Sequence, residues 1–243
     1  MTTLYQFSFS HFCEKARWAL DYKGQSYRVR NLLPGPHLKT TKKLAAKSSV
    51  PILVDGNTIV QDSVAIIDYL DETYPANSLT PDDSMLAQEA REWEEYLDAE
   101  IGVTLRSWFY YCALPNTSSA LTFLLHDGPW YGRPLYAVIF PRVRESMIRF
   151  MDINADTARQ SEKRLIDALS RLDDALRGRR FLVGDSFTRA DLTACALLSH
   201  FVAPIEKFKA VFPEPVLALS RQYSSRPFYR WVDDTYRDYR TIA

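Results

Sequence analysis

Ser10-His11-Phe12-Cys13 places a hydroxyl and a thiol three positions apart, just ahead of a helical pattern. This is the spacing of a C-x-x-C dithiol whose first cysteine is replaced by serine. In such a pair the first position carries the reactive thiolate, because it lies nearest the helix N-terminus, where partial positive charge favours an anion. The replacement removes ordinary dithiol exchange. Ser10 can cap the helix by accepting a backbone N–H and still donate its hydroxyl proton to a ligand. Cys13 is open to two readings: a buried packing residue, as free cysteines often are, or a redox thiol. A second constellation, Thr188 to Asp191, is structural. Thr188 can cap a helix, Asp191 can reach back to its N–H, and Phe187 and Leu192 are spaced as a hydrophobic staple. Asp191 is therefore read as a capping side chain and not as a catalytic carboxylate.

The elements that position these residues follow from periodicity. Residues 4–9 alternate as a short strand, and residues 11–23 put Phe12, Ala16, Ala19 and Leu20 on one helical face before Gly24 ends the helix. Residues 26–33 have weak strand character, and Pro34-Gly35-Pro36 breaks them. Residues 50–54 and 58–60 read as strands around an Asp55-Gly56 hairpin turn, after which Ser63 can cap a helix carrying Ile66, Ile67 and Leu70 inward. The predicted order β-α-β-(α)-β-β-α suits a mixed sheet flanked by helices. Residues 75–83 resemble a linker. Beyond them the pattern is helical: one long helix over 84–114, a break at 115–119, an irregular stretch around Gly128-Pro129, Gly132 and Pro134, then helices from about Leu135 and over 156–176.

Bulk properties limit the function classes. Lys+Arg and Asp+Glu balance at 30 each, so no global field draws in nucleic acid or an anionic membrane. The run Arg177, Arg179, Arg180 reads as a solvated helix end. No apolar run approaches the roughly 18 residues of a membrane span, and the opening residues lack a signal-peptide pattern. Cys13, Cys112 and Cys195, odd in number and far apart, form neither a disulfide framework nor, with four scattered His, a zinc pattern. A reducing cytoplasmic setting without a structural metal is expected.

Four segments together carry a family resemblance. They are LYQFSFSHFCEKARWALDYKG from Leu4, Val50-Pro51-Ile52-Leu53, Gln61-Asp62-Ser63-Val64-Ala65-Ile66 running into Asp68-Tyr69-Leu70, and Phe181-Leu182-Val183-Gly184-Asp185 leading into Thr188 to Asp191. In this order, over some 190 residues, they resemble the cytosolic glutathione S-transferases. The S-x-x-C-E-K-x-R turn looks like bacterial, including cyanobacterial, members. The resemblance implies an α/β thioredoxin-like N-terminal domain (1–76) that binds glutathione, plus an all-α C-terminal helical-bundle domain (84–243) lengthened near 104–153. It also implies a cytoplasmic homodimer. Ser10 matches the activating Ser or Cys of the Ser- and Cys-type classes. Cys13 is the rival, and Tyr5 a third candidate, because Tyr-type classes use a tyrosine in the first strand; the register here places Gln6 at that position.

The glutathione contacts carry over by position. Val50 would pair through its backbone with the cysteinyl part, before a cis bond to Pro51. Asp62 and Ser63 would take the γ-glutamyl end, and His37 or Lys39 the glycyl carboxylate. Many members carry N-P-x-G-K/Q before the Val-Pro pair; here it is Ala45-Ala46-Lys47-Ser48-Ser49, so Ser49 replaces a basic or amide contact. An apolar second-substrate pocket is expected from Phe12, Trp108 and Tyr111, within a stretch rich in aromatics (Phe109, Tyr110, Phe123, Trp130, Tyr131, Tyr136). The implied activity is transfer of the glutathione thiolate to a small apolar electrophile, with peroxidase activity from the same thiolate. A non-catalytic interaction module and a thiol oxidoreductase acting through Cys13 remain the alternatives.

Overall fold

The computed structural model describes residues 1–202 and 212–240. The first 73 residues run β1 (Thr3–Gln6), α1 (His11–Tyr22), β2 (Arg28–Asn31), α2 (Leu38–Leu44), β3 (Ile52–Asp55), β4 (Thr58–Gln61) and α3 (Ser63–Thr73). This is the predicted order. The sheet is mixed, β2-β1-β3-β4, with β1 parallel to β2 and antiparallel to β3, and β3 and β4 forming a hairpin. A right-handed turn of helix must intervene between the parallel pair, and α1 supplies it. The hairpin turn is Gly56-Asn57, closed by the pair Asp55 and Thr58, with Gly56 at φ +58°. Glycine at the first central position suits such a two-residue loop.

Three local expectations are corrected. β1 stops at Gln6, because Ser10 N–H turns back to the Phe7 carbonyl at 3.1 Å and makes residues 7–10 a turn. Asp62, not Ser63, caps α3: its carboxylate accepts from Val64 N–H at 3.0 Å, and Ser63 is buried as the first helical residue. The stretch 75–83 is tied down on both sides. Asp71 accepts from Leu79 and Thr80 N–H at 2.9 Å each, and the Leu79 carbonyl accepts from Arg189 N–H at 2.8 Å.

The remaining described elements are helical: α4 (Ser84–Leu97), a π-helical turn (Asp98–Val103), α5 (Thr104–Ala113), α6 (Thr117–Leu124), α7 (Gly132–Phe150), α8 (Ala155–Ala175), α9 (Arg189–Val202), α10 (Glu214–Tyr223) and α11 (Pro227–Tyr239). The single helix expected over 84–114 is thus interrupted by a π turn. Gly102 lies within it, where a Cβ would come within 2.6 Å of the Phe12 ring. The backbone there approaches the start of α1 more closely than any side chain allows. α6 starts inside the predicted break, capped by Asn116, and α7 begins at Gly132, ahead of the expected Leu135. Arg177, Arg179 and Arg180 are exposed just past the end of α8, as read from the sequence.

α9 is the central post. Nearly all its residues are buried, and α1, α4 and α11 pack around it. Its start is built as the sequence indicated: Asp191 accepts from Thr188 N–H at 2.9 Å and from Leu182 N–H at 2.8 Å. Where α1, α3, α4, the π turn and α9 meet, five buried or half-buried charges interlock. Lys15 pairs with Glu94 at 2.7 Å and Asp98 at 2.9 Å; Arg189 reaches the other oxygen of Glu94 at 2.5 Å and Asp68 at 2.6 Å. Breaking one member of such a set leaves an uncompensated charge indoors, so α1 is held in one orientation against the helical half.

Candidate functional site

The first turn of α1 opens onto a cavity of about 680 Å³ between the sheet side and α5, α7 and α9. Phe7, Phe9, Phe12, Leu105, Phe109, Phe123, Val143 and Met147 make most of its wall. Ser10 is the N-cap of α1, with extended backbone (φ −83°, ψ 126°). Among the described residues its Oγ accepts one long contact, from Cys13 N–H at 3.4 Å. The hydroxyl is therefore weakly held at the mouth of a 12-residue helix, facing the cavity, where the helix dipole favours negative charge.

Cys13 lies behind that turn and not in the cavity wall. It is fully buried, and burial pushes its thiol up, against smaller opposing effects of Arg17 and the Ser10 hydroxyl. Tyr5 is also outside the wall. It pairs with Ile52 and Arg30 across the sheet, with the Arg30 guanidinium 5.9 Å from its ring. Gln6 is committed to Asn31 and Arg17.

Val50, Ser48, Ser49 and His37 line the cavity beside Ser10; Lys39 is exposed and outside it. The Val50-Pro51 bond is cis. Asp62 N–H donates to the Pro51 carbonyl at 3.1 Å, so two sequence motifs eleven positions apart meet at one point. Asp62 itself is exposed at φ +97°, a conformation disfavoured for any side chain and held here by that bond and its cap. His37 lies edge-on to Phe7 at 5.0 Å; burial lowers its pKa, and its Nδ1 has no partner among the described residues. Sequence reasoning missed Gln61. Its side-chain amide donates to the Lys47 and Ser49 carbonyls at 2.8 and 2.7 Å and accepts from Lys47 N–H at 3.1 Å, pinning the unusual 45–49 loop to β4.

Of the three residues expected to form a second pocket, Phe12 lines the cavity, whereas Trp108 and Tyr111 do not. Helix rotation decides this. Leu105, Arg106, Phe109 and Tyr110 share the cavity face of α5, while Trp108 is buried on another side and Tyr111 is largely exposed. The i, i+4 pair Leu105 and Phe109 was the available signal. His11 and His200 also border the cavity, and burial drives their pKa values down to about 3 and about 4. Both rings are neutral at physiological pH, so neither adds charge to the floor.

Comparison with known proteins matches residues 4–78 to the glutathione S-transferase N-terminal domain and residues 135–225 to the glutathione S-transferase C-terminal domain. The chain belongs to the glutathione S-transferase family. Residues 79–134 fall outside both matched ranges, and α4, α5 and α6 lie there. Glutathione S-transferase 1 of Dianthus caryophyllus is 42% identical over 83 residues, 33% of this chain and 38% of that protein. The match therefore spans well under half of the first curated relatives' length. Among solved structures, a β-etherase from Sphingobium sp. strain SYK-6 superposes with TM-score 0.65 at 18% identity, covering 96% of this chain and 99% of that one. A glutathione S-transferase from Methylobacterium radiotolerans, solved with glutathione sulfonate, superposes with TM-score 0.60 at 18% identity over 94% and 92%. These likenesses establish the glutathione S-transferase fold, a thioredoxin-like α/β domain followed by an all-α helical one. Glutathione chemistry is the province of this family.

Proposed function

We propose that this family member is a glutathione transferase in which Ser10 stabilises the glutathione thiolate and the apolar cavity holds the electrophile. The observation that carries this reading is the Ser10 hydroxyl at the α1 N-terminus, facing an apolar cavity, with Cys13 sealed behind it. In this reading glutathione lies beside Ser10: Val50, just ahead of β3, His37 and Ser49 line the cavity there, the latter two on the side assigned to the glycyl carboxylate, and Asp62 and Ser63, outside the cavity wall, form the start of α3 for the γ-glutamyl end. Lys39, outside the cavity wall, is the weaker candidate for that role.

Bound glutathione supplies the nucleophile. A cysteine-type thiol has a pKa of about 8.5, and each unit of lowering takes ~1.4 kcal/mol. A charge-assisted hydrogen bond from Ser10 is worth ~1.5–3 kcal/mol and a partly buried helix N-terminus up to ~2 kcal/mol. Together they lower the thiol by about two units, enough to populate the thiolate at pH 7 without a general base. Phe12 and the α5 face then exclude water and present an apolar carbon to the sulfur; the carbon–sulfur bond forms and the leaving group departs with its electron pair. Peroxide reduction draws on the same stabilised thiolate. Residues 1–76 serve as the glutathione-binding domain and 84–243 as the helical one, in a cytoplasmic homodimer.

Calorimetry with glutathione and a conjugation assay test the reading. Ser10→Ala is expected to lower kcat/KM about 10- to 100-fold at pH 7 and to shift the acid limb of the pH–rate profile upward by one to two units, matching the lost hydrogen bond. Cys13→Ala is expected to keep that profile. A Ser10→Ala protein with an unchanged profile overturns the assignment of Ser10, and activity lost only in Cys13→Ala moves the chemistry to the buried thiol.

A further inference from the structure

Among the described residues that line the cavity there are two arginines, Arg106 and Arg142, and no carboxylate. Arg106 is the informative one. It projects from α5 into the cavity, its guanidinium 5.5 Å from the centre of the Phe12 ring, two residues from Ser10 along the chain. The residue keeps exposed surface and lines the cavity, while the protein packed around it pushes its pKa down, with Tyr110 opposing the shift. Several arginines that are buried or half-buried are paired. Arg17 meets Glu14, Arg189 meets Glu94 and Asp68, and Arg226 meets Asp173. Arg106 has no hydrogen-bond or ion-pair partner among the described residues, and its i±3 and i±4 neighbours are Val103, Phe109, Gly102 and Tyr110, none acidic. An unpaired guanidinium on an otherwise aromatic wall is available to pair with an anionic ligand.

We propose that Arg106 is a specificity-determining residue that binds an anionic group of the second substrate, so that this protein acts on aromatic electrophiles bearing a carboxylate in preference to neutral ones. The geometry suits that class: the guanidinium sits 5.5 Å from the Phe12 ring centre with no acidic partner, so its N–H groups can take a carboxylate while the Phe-rich wall takes the ring. Arg142, on the α7 wall of the same cavity, adds a second positive charge. The inference rests on the transferase reading above for the reaction but not for the binding.

Two measurements test it. The first compares 4-chloro-3,5-dinitrobenzoate with its methyl ester as electrophiles. In each, the thiolate sulfur bonds to the ring carbon bearing chlorine and chloride leaves with the electron pair. With each kcat/KM normalised to the uncatalysed rate with glutathione, the native protein is expected to favour the carboxylate by about 10- to 100-fold, the scale of a charge-assisted contact. Arg106→Met is expected to bring that preference close to one, and Arg106→Lys to restore part of it. No preference in the native protein overturns the proposal. So does an Arg106→Met protein that keeps the preference while its KM for glutathione rises, because the guanidinium would then serve the glycyl carboxylate. The second measurement is calorimetric binding of 3,5-dinitrobenzoate, which has no leaving group, without glutathione. Binding at least tenfold weaker in Arg106→Met upholds the anion site even if neither electrophile is turned over, in which case the transferase reading alone falls. Equal binding by both proteins overturns the site.

Discussion

A serine and a cysteine one helical turn apart are separated, in this chain, by burial more than by chemistry. Ser10 is half-buried and faces the cavity; Cys13 has no exposed surface. Because the thiolate is the reactive form, a thiol whose pKa burial has raised is slow towards any electrophile. The same holds for Cys195, raised well above its ordinary value, and for half-buried Cys112, raised to about 11. Titration with an aromatic disulfide at pH 8 is therefore expected to find no fast-reacting thiol in the native protein and all three in denaturant. A fast native thiol lost in Cys13→Ala contradicts this account and revives the redox alternative.

At the level of elements, α9 depends on one side chain. Asp191 accepts from two backbone N–H groups and from the Thr188 hydroxyl at 3.0 Å, and it is fully buried. Burial pushes its carboxyl up to about 6, with the three donors pulling the other way. Asp191→Ala strands those donors indoors, at ~1–3 kcal/mol for each unsatisfied group with partial compensation, so a loss of ~2–4 kcal/mol is expected. For a chain of this size that is a fall in Tm of roughly 5–15 °C, measurable by calorimetry. A fall of only a degree or two places the start of α9 under the control of its apolar neighbours. The motif was legible in advance because capping is local: cap, box and staple fall within six residues. The π turn at Asp98–Val103 was not, because its cause, the approach of Phe12 to Gly102, joins residues 90 positions apart in the chain.

Across the whole molecule, the C-terminal helix secures the helix that carries Ser10. Glu14 of α1 accepts from the Tyr236 hydroxyl and from Arg240 Nε, both at 2.7 Å, and pairs with Arg17; the indole of Trp18 donates to the Tyr239 carbonyl at 3.0 Å. Burial alone raises the Glu14 carboxyl, but Arg17, Arg240 and Tyr236 outweigh it and hold the pKa at about 2. In the unfolded chain a Glu titrates near 4.3. Ionised Glu14 therefore stabilises the fold above about pH 4.5, and that contribution is lost as the pH falls towards 2; two units correspond to ~3 kcal/mol. Glu14→Gln is expected to be less stable by ~2–3 kcal/mol at pH 6 and to lose stability less steeply between pH 4.5 and 2. Denaturant melts of the two proteins across that range check it, and parallel curves remove Glu14 from the account.

The order of strands and helices in the first domain and the α9 cap were written in local patterns, because propensity, capping and turn chemistry act over a few neighbouring residues; the cis Val50-Pro51 bond followed from the family resemblance that four such segments carried. Tertiary structure decided which side chains face the cavity. Trp108 and Tyr111 read as pocket aromatics by composition, yet the rotation of α5 turned Leu105, Arg106, Phe109 and Tyr110 inward instead. It also decided that Ser10 meets the cavity and Cys13 does not, and that Lys15, Glu94 and Arg189 share one buried ion network. Such outcomes depend on which faces pack together, and that is settled between residues far apart in the chain.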